Sequence, residues 1–187
     1  LKMREWEDLD WRAKSGWMGR DLCHNPDGKA VRVLDYYCDD TDGTTLTGIV
    51  WFGPDAESHR GLCHGGAMCS LLDDICGHAV FAATGQAPWS GATVQVNCSL
   101  KKPVEIGSVL RVKANVKFTT GTKKCIVNAI LDDGNIHKPT ETIVYAELAG
   151  ISISGIKLTR KEEHKTDHVG MRQWIHTDHE KKDSSSW

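Results

Sequence analysis

No apolar run in the 187 residues approaches the roughly 20 needed to cross a bilayer as a helix. Residues 1–20 are charged and lack the apolar stretch of a secretory signal, so an intracellular setting, cytoplasmic or mitochondrial matrix, is expected. Charge of one sign is equally scarce. With 23 basic against 25 acidic residues the net charge is -2, too balanced to make nucleic acid or an anionic membrane the main partner. The seven cysteines (Cys23, Cys38, Cys63, Cys69, Cys76, Cys98 and Cys125) are odd in number and include no CxxC pair, which argues against a disulfide framework or a zinc ribbon. Most lie in apolar runs, where a thiol behaves as a small buried hydrophobe, and reduced structural cysteines are expected. There is no GxSxG elbow, no GxGxxG and no GxxxxGKS phosphate loop. Asp40, Asp42 and Gly43 imitate part of a calcium loop, but Cys38 and Ile49 stand where its first and last ligands should be.

What is present is a globular composition, 40% hydrophobic and 26% charged, sufficient for one domain with appendages. Residues 1–28 read as an N-terminal helical extension, with Trp6, Leu9, Trp11 and Trp17 on its apolar side. Residues 29–154 read as the domain itself. Residues 155–187 are a polar tail, in which His164, His168, His176 and His179 are spaced too loosely to imply a metal site. Within the domain, 31–37 and 45–52 are rich in β-branched and aromatic residues, and the turn cluster 39–43 between them predicts a hairpin. A glycine-bounded helix is predicted over 65–83, followed by strands at 93–100, 109–118, 125–132 and 142–153, with tight turns at Gly121 and Asp133-Gly134. One long helix among five or six antiparallel strands is an α+β layout.

The helix carries the chemistry. At about 100° per residue, Met68, Leu71, Leu72, Ile75, Ala79 and Ala82 form an apolar stripe that should bury against the sheet. Near the opposite side fall Gly66, Cys69, Asp73, Gly77 and Val80, small residues with one carboxylate where a solvated face would carry Lys, Glu and Gln. Such a stripe lets a backbone or ligand approach closely. At the helix start the Gly66 N–H can face an oxyanion, and a carboxylate two turns on suits transfer of an acyl group to water. Spacing alone equally admits a plain loop-to-helix turn and an ordinary surface acid.

His64-Gly65-Gly66-Ala67, with Asp73 nine positions after the histidine and Gly77 four further on, resembles the HGG-x6-D motif of hotdog-fold acyl-CoA thioesterases, most of all the phenylacetate-pathway type and the thioesterase superfamily members of animals. Phe52-Gly53-Pro54 and Gly61-Leu62-Cys63 resemble that family's lead-in, Thr93, Asn97 and Leu100-Lys101-Lys102-Pro103 its next strand and turn, and Tyr145-Ala146-Glu147 its last strand. The resemblance covers residues 46–154. It implies a hotdog fold, an antiparallel sheet wrapped around one central helix, and a homodimer or dimer of dimers with sites between subunits. It further implies an acyl-CoA substrate, with coenzyme A part of that substrate and no separate cofactor or metal. By carry-over Asp73 is the base or nucleophile, Gly66 the oxyanion donor, and His64 orients the loop or thioester. Thr93, from the facing subunit, positions water. Gly65, His59, Arg60, Lys101 and Lys102 are candidate substrate contacts, as are Arg111, Lys113 and Lys117 for coenzyme A phosphates. Asp74, an acid where many relatives are neutral, should diverge from Asp73 by about 100° and be solvated or salt-bridged. Dehydration or cyclisation of an acyl intermediate, and a non-catalytic acyl-CoA-binding scaffold, are the alternatives to hydrolysis.

Overall fold

The computed structural model describes residues 22–25, 27–38, 44–84, 91–135 and 139–155. Most of the expected N-terminal helical extension, the 39–43 turn cluster and residues 156–187 of the polar tail lie outside these residues.

Strands β1 (Val31–Cys38) and β2 (Thr45–Phe52) are followed by a short pair, β3 (Glu57–His59) and β4 (Leu62–Cys63). Helix α1 (Gly65–Thr84) comes next, then β5 (Ala92–Leu100), β6 (Val109–Phe118), β7 (Lys124–Asp132) and β8 (Val144–Ile153). Six strands form one antiparallel sheet in the order β1-β2-β6-β7-β8-β5, the hotdog arrangement. The expected helix and strands are found with ends displaced by one or two residues. The β3–β4 pair was not foreseen, being too short to show a period. Asp133-Gly134 opens a longer connection with a 3-10 turn at Pro139–Glu141 rather than a tight hairpin, which delays β8 to Val144.

The period of two decides which sheet face packs on the helix. In β2, Leu46, Gly48, Val50 and Phe52 point inward; in β6, Leu110, Val112, Ala114 and Val116 do. Cys125, Val127, Ala129 and Leu131 of β7 and Ala146 and Leu148 of β8 complete the wall. Against it α1 buries Met68, Leu71, Leu72, Ile75 and Ala79, as its apolar stripe requires. All seven cysteines are free, and Cys23, Cys63, Cys76 and Cys125 are buried. None of the described helices is long and apolar enough to cross a membrane.

Candidate active site

The start of α1 is fixed by the loop that leads to it. Gly61 sits at φ +78, a conformation that is cheap for glycine, and its N–H donates to Glu57 Oε1 at 2.6 Å. The Cys63 N–H donates to the Val104 carbonyl at 2.8 Å and the His64 N–H to that of Ala56 at 2.7 Å. The His64 ring then caps the helix, its Nδ1 accepting the Gly66 N–H at 2.8 Å. The amide expected to face an oxyanion therefore already has a partner within its own chain.

The small-residue stripe of α1 runs along β5. A Cβ at Gly65 would come within 2.5 Å of Leu100 Cδ1, so the glycine lets the half-exposed Leu100 side chain lie against the start of the helix. One turn on, the Cys98 thiol interacts with that of Cys69, and burial followed by this contact pushes it up to about 11. Val80, expected on the open stripe, is buried; it forms part of a cavity wall rather than a solvent face. Gly66 and Asp73 share this side of the helix, but seven residues at 1.5 Å each separate them by about 10 Å. At that separation Asp73 would meet a carbonyl held by the Gly66 amide through a water rather than directly.

The cavity has a volume of about 430 Å³, and its walls include Ser70, Asp73 and Gly77 of α1, Thr93 of β5 and Ser152 of β8. A Cβ at Gly77 would meet nothing within 4 Å, so this glycine leaves space to the cavity. Asp73 is half-buried, and its Oδ1 is fully covered with no hydrogen-bond partner among the described residues; Ser152 Oγ is in the same state. Thr93 and Ser152 stand opposite each other in the β5–β8 register. Buried polar atoms nearly always have partners, so two covered, unbonded oxygens on residues that line one cavity are an unusual feature of this site. Ser152 escaped the sequence reading because Ile151-Ser152-Ile153 looks like an ordinary alternating strand.

The neighbouring Asp74 is not solvated. Its side chain is 18% exposed, and its Oδ2 accepts the Tyr36 hydroxyl at 2.9 Å. His24 Nε2 lies 3.5 Å and His78 Nδ1 3.4 Å from the same oxygen. Burial raises its pKa, but the His78 charge and hydrogen bond, His24 and the Tyr36 hydroxyl together hold it below the ordinary carboxylate value. Gly48 makes this possible, since a Cβ there would strike the Tyr36 ring at 2.7 Å.

The expected substrate contacts lie apart from the cavity. His59 and Arg60 are exposed at the β3–β4 turn, and Lys102 is exposed beyond β5. Lys101 pairs with Glu147 at 3.1 Å, both half-exposed. Arg111 is committed to a two-pronged bond with Asp132, Nε and Nη2 each at 2.8 Å, and Lys113 and Lys117 are exposed on β6.

Residues 60–135 match the family model described as thioesterase superfamily. No curated protein matches the chain. Among solved structures, a thioesterase superfamily protein aligns over 71% of this chain at 20% identity and TM-score 0.57, and the chain spans 62% of that protein's length. Zebrafish thioesterase superfamily member 2 aligns at 19% identity and TM-score 0.55, covering 77% of this chain and 92% of its own. A hypothetical thioesterase of Streptococcus pneumoniae, solved with coenzyme A, aligns at 16% identity and TM-score 0.52 over 66% of this chain and 93% of its own. At these identities the shared property is the fold. The segment holding β4, α1 and β5 to β7 thus carries the thioesterase superfamily pattern, on a hotdog fold that proteins named as thioesterases share.

Proposed function

We propose that this chain hydrolyses acyl thioesters, with coenzyme A thioesters as the substrate class and Asp73 as the group that brings water to the carbonyl. The observation that carries the reading is that Asp73 lines a cavity together with Thr93 and Ser152 and has a carboxylate oxygen without a hydrogen-bond partner among the described residues. A carboxylate so placed removes a proton from water as its oxygen attacks the thioester carbon, or attacks directly and is released by water. In either route the carbon–sulfur bond breaks and the departing thiolate takes up a proton. Thr93 and Ser152 orient the water. The coenzyme A bound to the Streptococcus pneumoniae protein supports this substrate class, and the zebrafish protein supports the thioesterase superfamily member type.

The separation of about 10 Å between Gly66 and Asp73 favours a homodimer in which one subunit supplies Asp73 and its partner the His64–Gly66 corner. Asp73 then works with its own subunit's Thr93, which lines the same cavity, instead of the facing subunit's Thr93 that the resemblance implied. An oxyanion there replaces the His64 ring as acceptor of the Gly66 N–H. Strand β5 is the surface for such pairing. It is a sheet edge, with Val94 and Val96 53% and 40% exposed, and an unpaired apolar edge readily adds another strand.

The test is thiol release from a panel of acyl-CoAs, with mass analysis of products. Free acid plus coenzyme A is expected, and Asp73→Asn lowers turnover by about 10²-fold or more with an unchanged circular dichroism spectrum. Undiminished turnover in that variant, or a dehydrated or cyclised product, overturns the reading.

A further inference from the structure

Hydrolysis at Asp73 makes no use of the cluster that holds Asp74. His24, Asp74 and His78 each offer one ligand atom, and the three atoms lie within 4.8 Å of one another. We infer that they form a binding site for a single zinc-like divalent ion, joining the segment that carries His24 to helix α1.

Distance is the first argument. His24 Nε2 and His78 Nδ1 stand 3.5 and 3.4 Å from Asp74 Oδ2, longer than the 2.7–3.2 Å of a good N–H···O bond. Ligands at 2.0–2.2 Å from one tetrahedral zinc are separated by about 3.3–3.6 Å. The two contacts to Asp74 have that spacing, and the two imidazole nitrogens, within 4.8 Å of each other, close together on the ion. Chemistry is the second. Two imidazoles and one carboxylate are a donor set suited to zinc, and less so to calcium or magnesium, which take oxygen. Asp74 and His78 are four apart on one helix, so both project from the same side.

Support around the ligands is the third argument. The Tyr36 hydroxyl donates to Asp74 Oδ2 at 2.9 Å, and such a bond fixes a ligating carboxylate. The His24 ring packs against those of Tyr36 and His78, with centroids 5.7 and 4.7 Å away. Both histidines are buried, while Asp74 and His78 reach the wall of the cavity, which gives the ion a way in. His78 Nδ1 lies 2.9 Å from the Asp74 carbonyl; a carbonyl only accepts, so this nitrogen carries a proton in the absence of the ion, and binding through Nδ1 moves the ring to the tautomer protonated on Nε2. Three protein ligands leave the fourth position to water. No metal motif announces the site in the sequence, because His24 is 50 positions from Asp74.

The test uses the full chain, stripped with chelator and titrated with zinc chloride by calorimetry, and separately with cobalt chloride by absorption. One ion per chain is expected, with the strong visible bands of tetrahedral cobalt and a higher Tm in zinc. His24→Gln combined with His78→Gln removes the stoichiometric ion and the bands. Alanine at His164, His168, His176 and His179 together leaves both in place. Absence of a stoichiometric ion in the unsubstituted protein, or its retention in the His24/His78 variant, overturns the inference. The readout is independent of thioesterase activity, so either reading can fail alone.

Discussion

Asp73 and Asp74 are adjacent in sequence and meet opposite surroundings. Asp73 lines a cavity with one covered oxygen that has no hydrogen-bond partner among the described residues, while Asp74 is gripped by a tyrosine hydroxyl and flanked by two imidazoles. The 100° step between successive helix residues separates them. Gly77, one turn beyond Asp73, tests the value of the cavity at the same scale. A side chain there meets open space and replaces glycine within a helix, so Gly77→Leu should stabilise the protein by about 0.5–1 kcal/mol while obstructing substrate. Chemical denaturation should show the gain and acyl-CoA kinetics a raised KM. A variant that is more stable and fully active would mean that substrate does not use this space.

At the scale of elements, regular structure was readable because it rests on short-range pattern. The alternation in Val109–Phe118 marks its inward face, and the spacing of Met68, Leu71, Leu72 and Ile75 marks the helix face that packs. Pairing order was not readable, since β5 lies beside β8 rather than beside β6, its neighbour in sequence. The Arg111–Asp132 bond is of this kind, a pair of side chains opposed by the β6–β7 register. Asp132 is 8% exposed in its side chain, so Arg111→Ala strands a buried carboxylate and should cost about 3 kcal/mol, measured by urea unfolding at neutral pH. Arg111→Lys should recover only part, because an ammonium cannot make the two-pronged bond. A loss below about 1 kcal/mol would show the pair to be incidental. The candidate site was half legible at this scale. His64, Gly66, Asp73 and Thr93 stood out by motif, whereas Ser152 and the Tyr36–His24 surroundings of Asp74 did not, because strands and segments far apart in sequence bring them in.

For the whole molecule, two measurements bear on assembly and on pH. If β5 joins two subunits, a charge in its middle should part them. Val96→Lys should shift the protein toward monomer in analytical ultracentrifugation and lower turnover with it; full activity in a monomer would sink the shared site. The buried thiols contribute to the alkaline pH dependence of stability. Burial pushes Cys63 up from the ordinary 9.0 to about 11, so the folded state favours the protonated form. This contribution is fully present below pH 9 and is lost as the pH rises through about 11. The urea midpoint should therefore fall over that window, and fall less in Cys63→Ala. Equal falls in both proteins would assign the loss to other groups.

The amino-acid order by itself determined the helix, the strands, the inward faces and the HGG-x6-D spacing, because these depend on neighbours within a few residues and on a fixed rotation per residue. Only the tertiary structure decided what surrounds each charge. It placed β5 along the small-residue stripe, occupied the Gly66 amide with the His64 ring, set Asp73 beside a cavity with one oxygen unbonded and gathered His24, Tyr36 and His78 around Asp74. The physical reason is that burial and hydrogen bonding are set by atoms close in space, and here those atoms come from positions as far apart as 24 and 152.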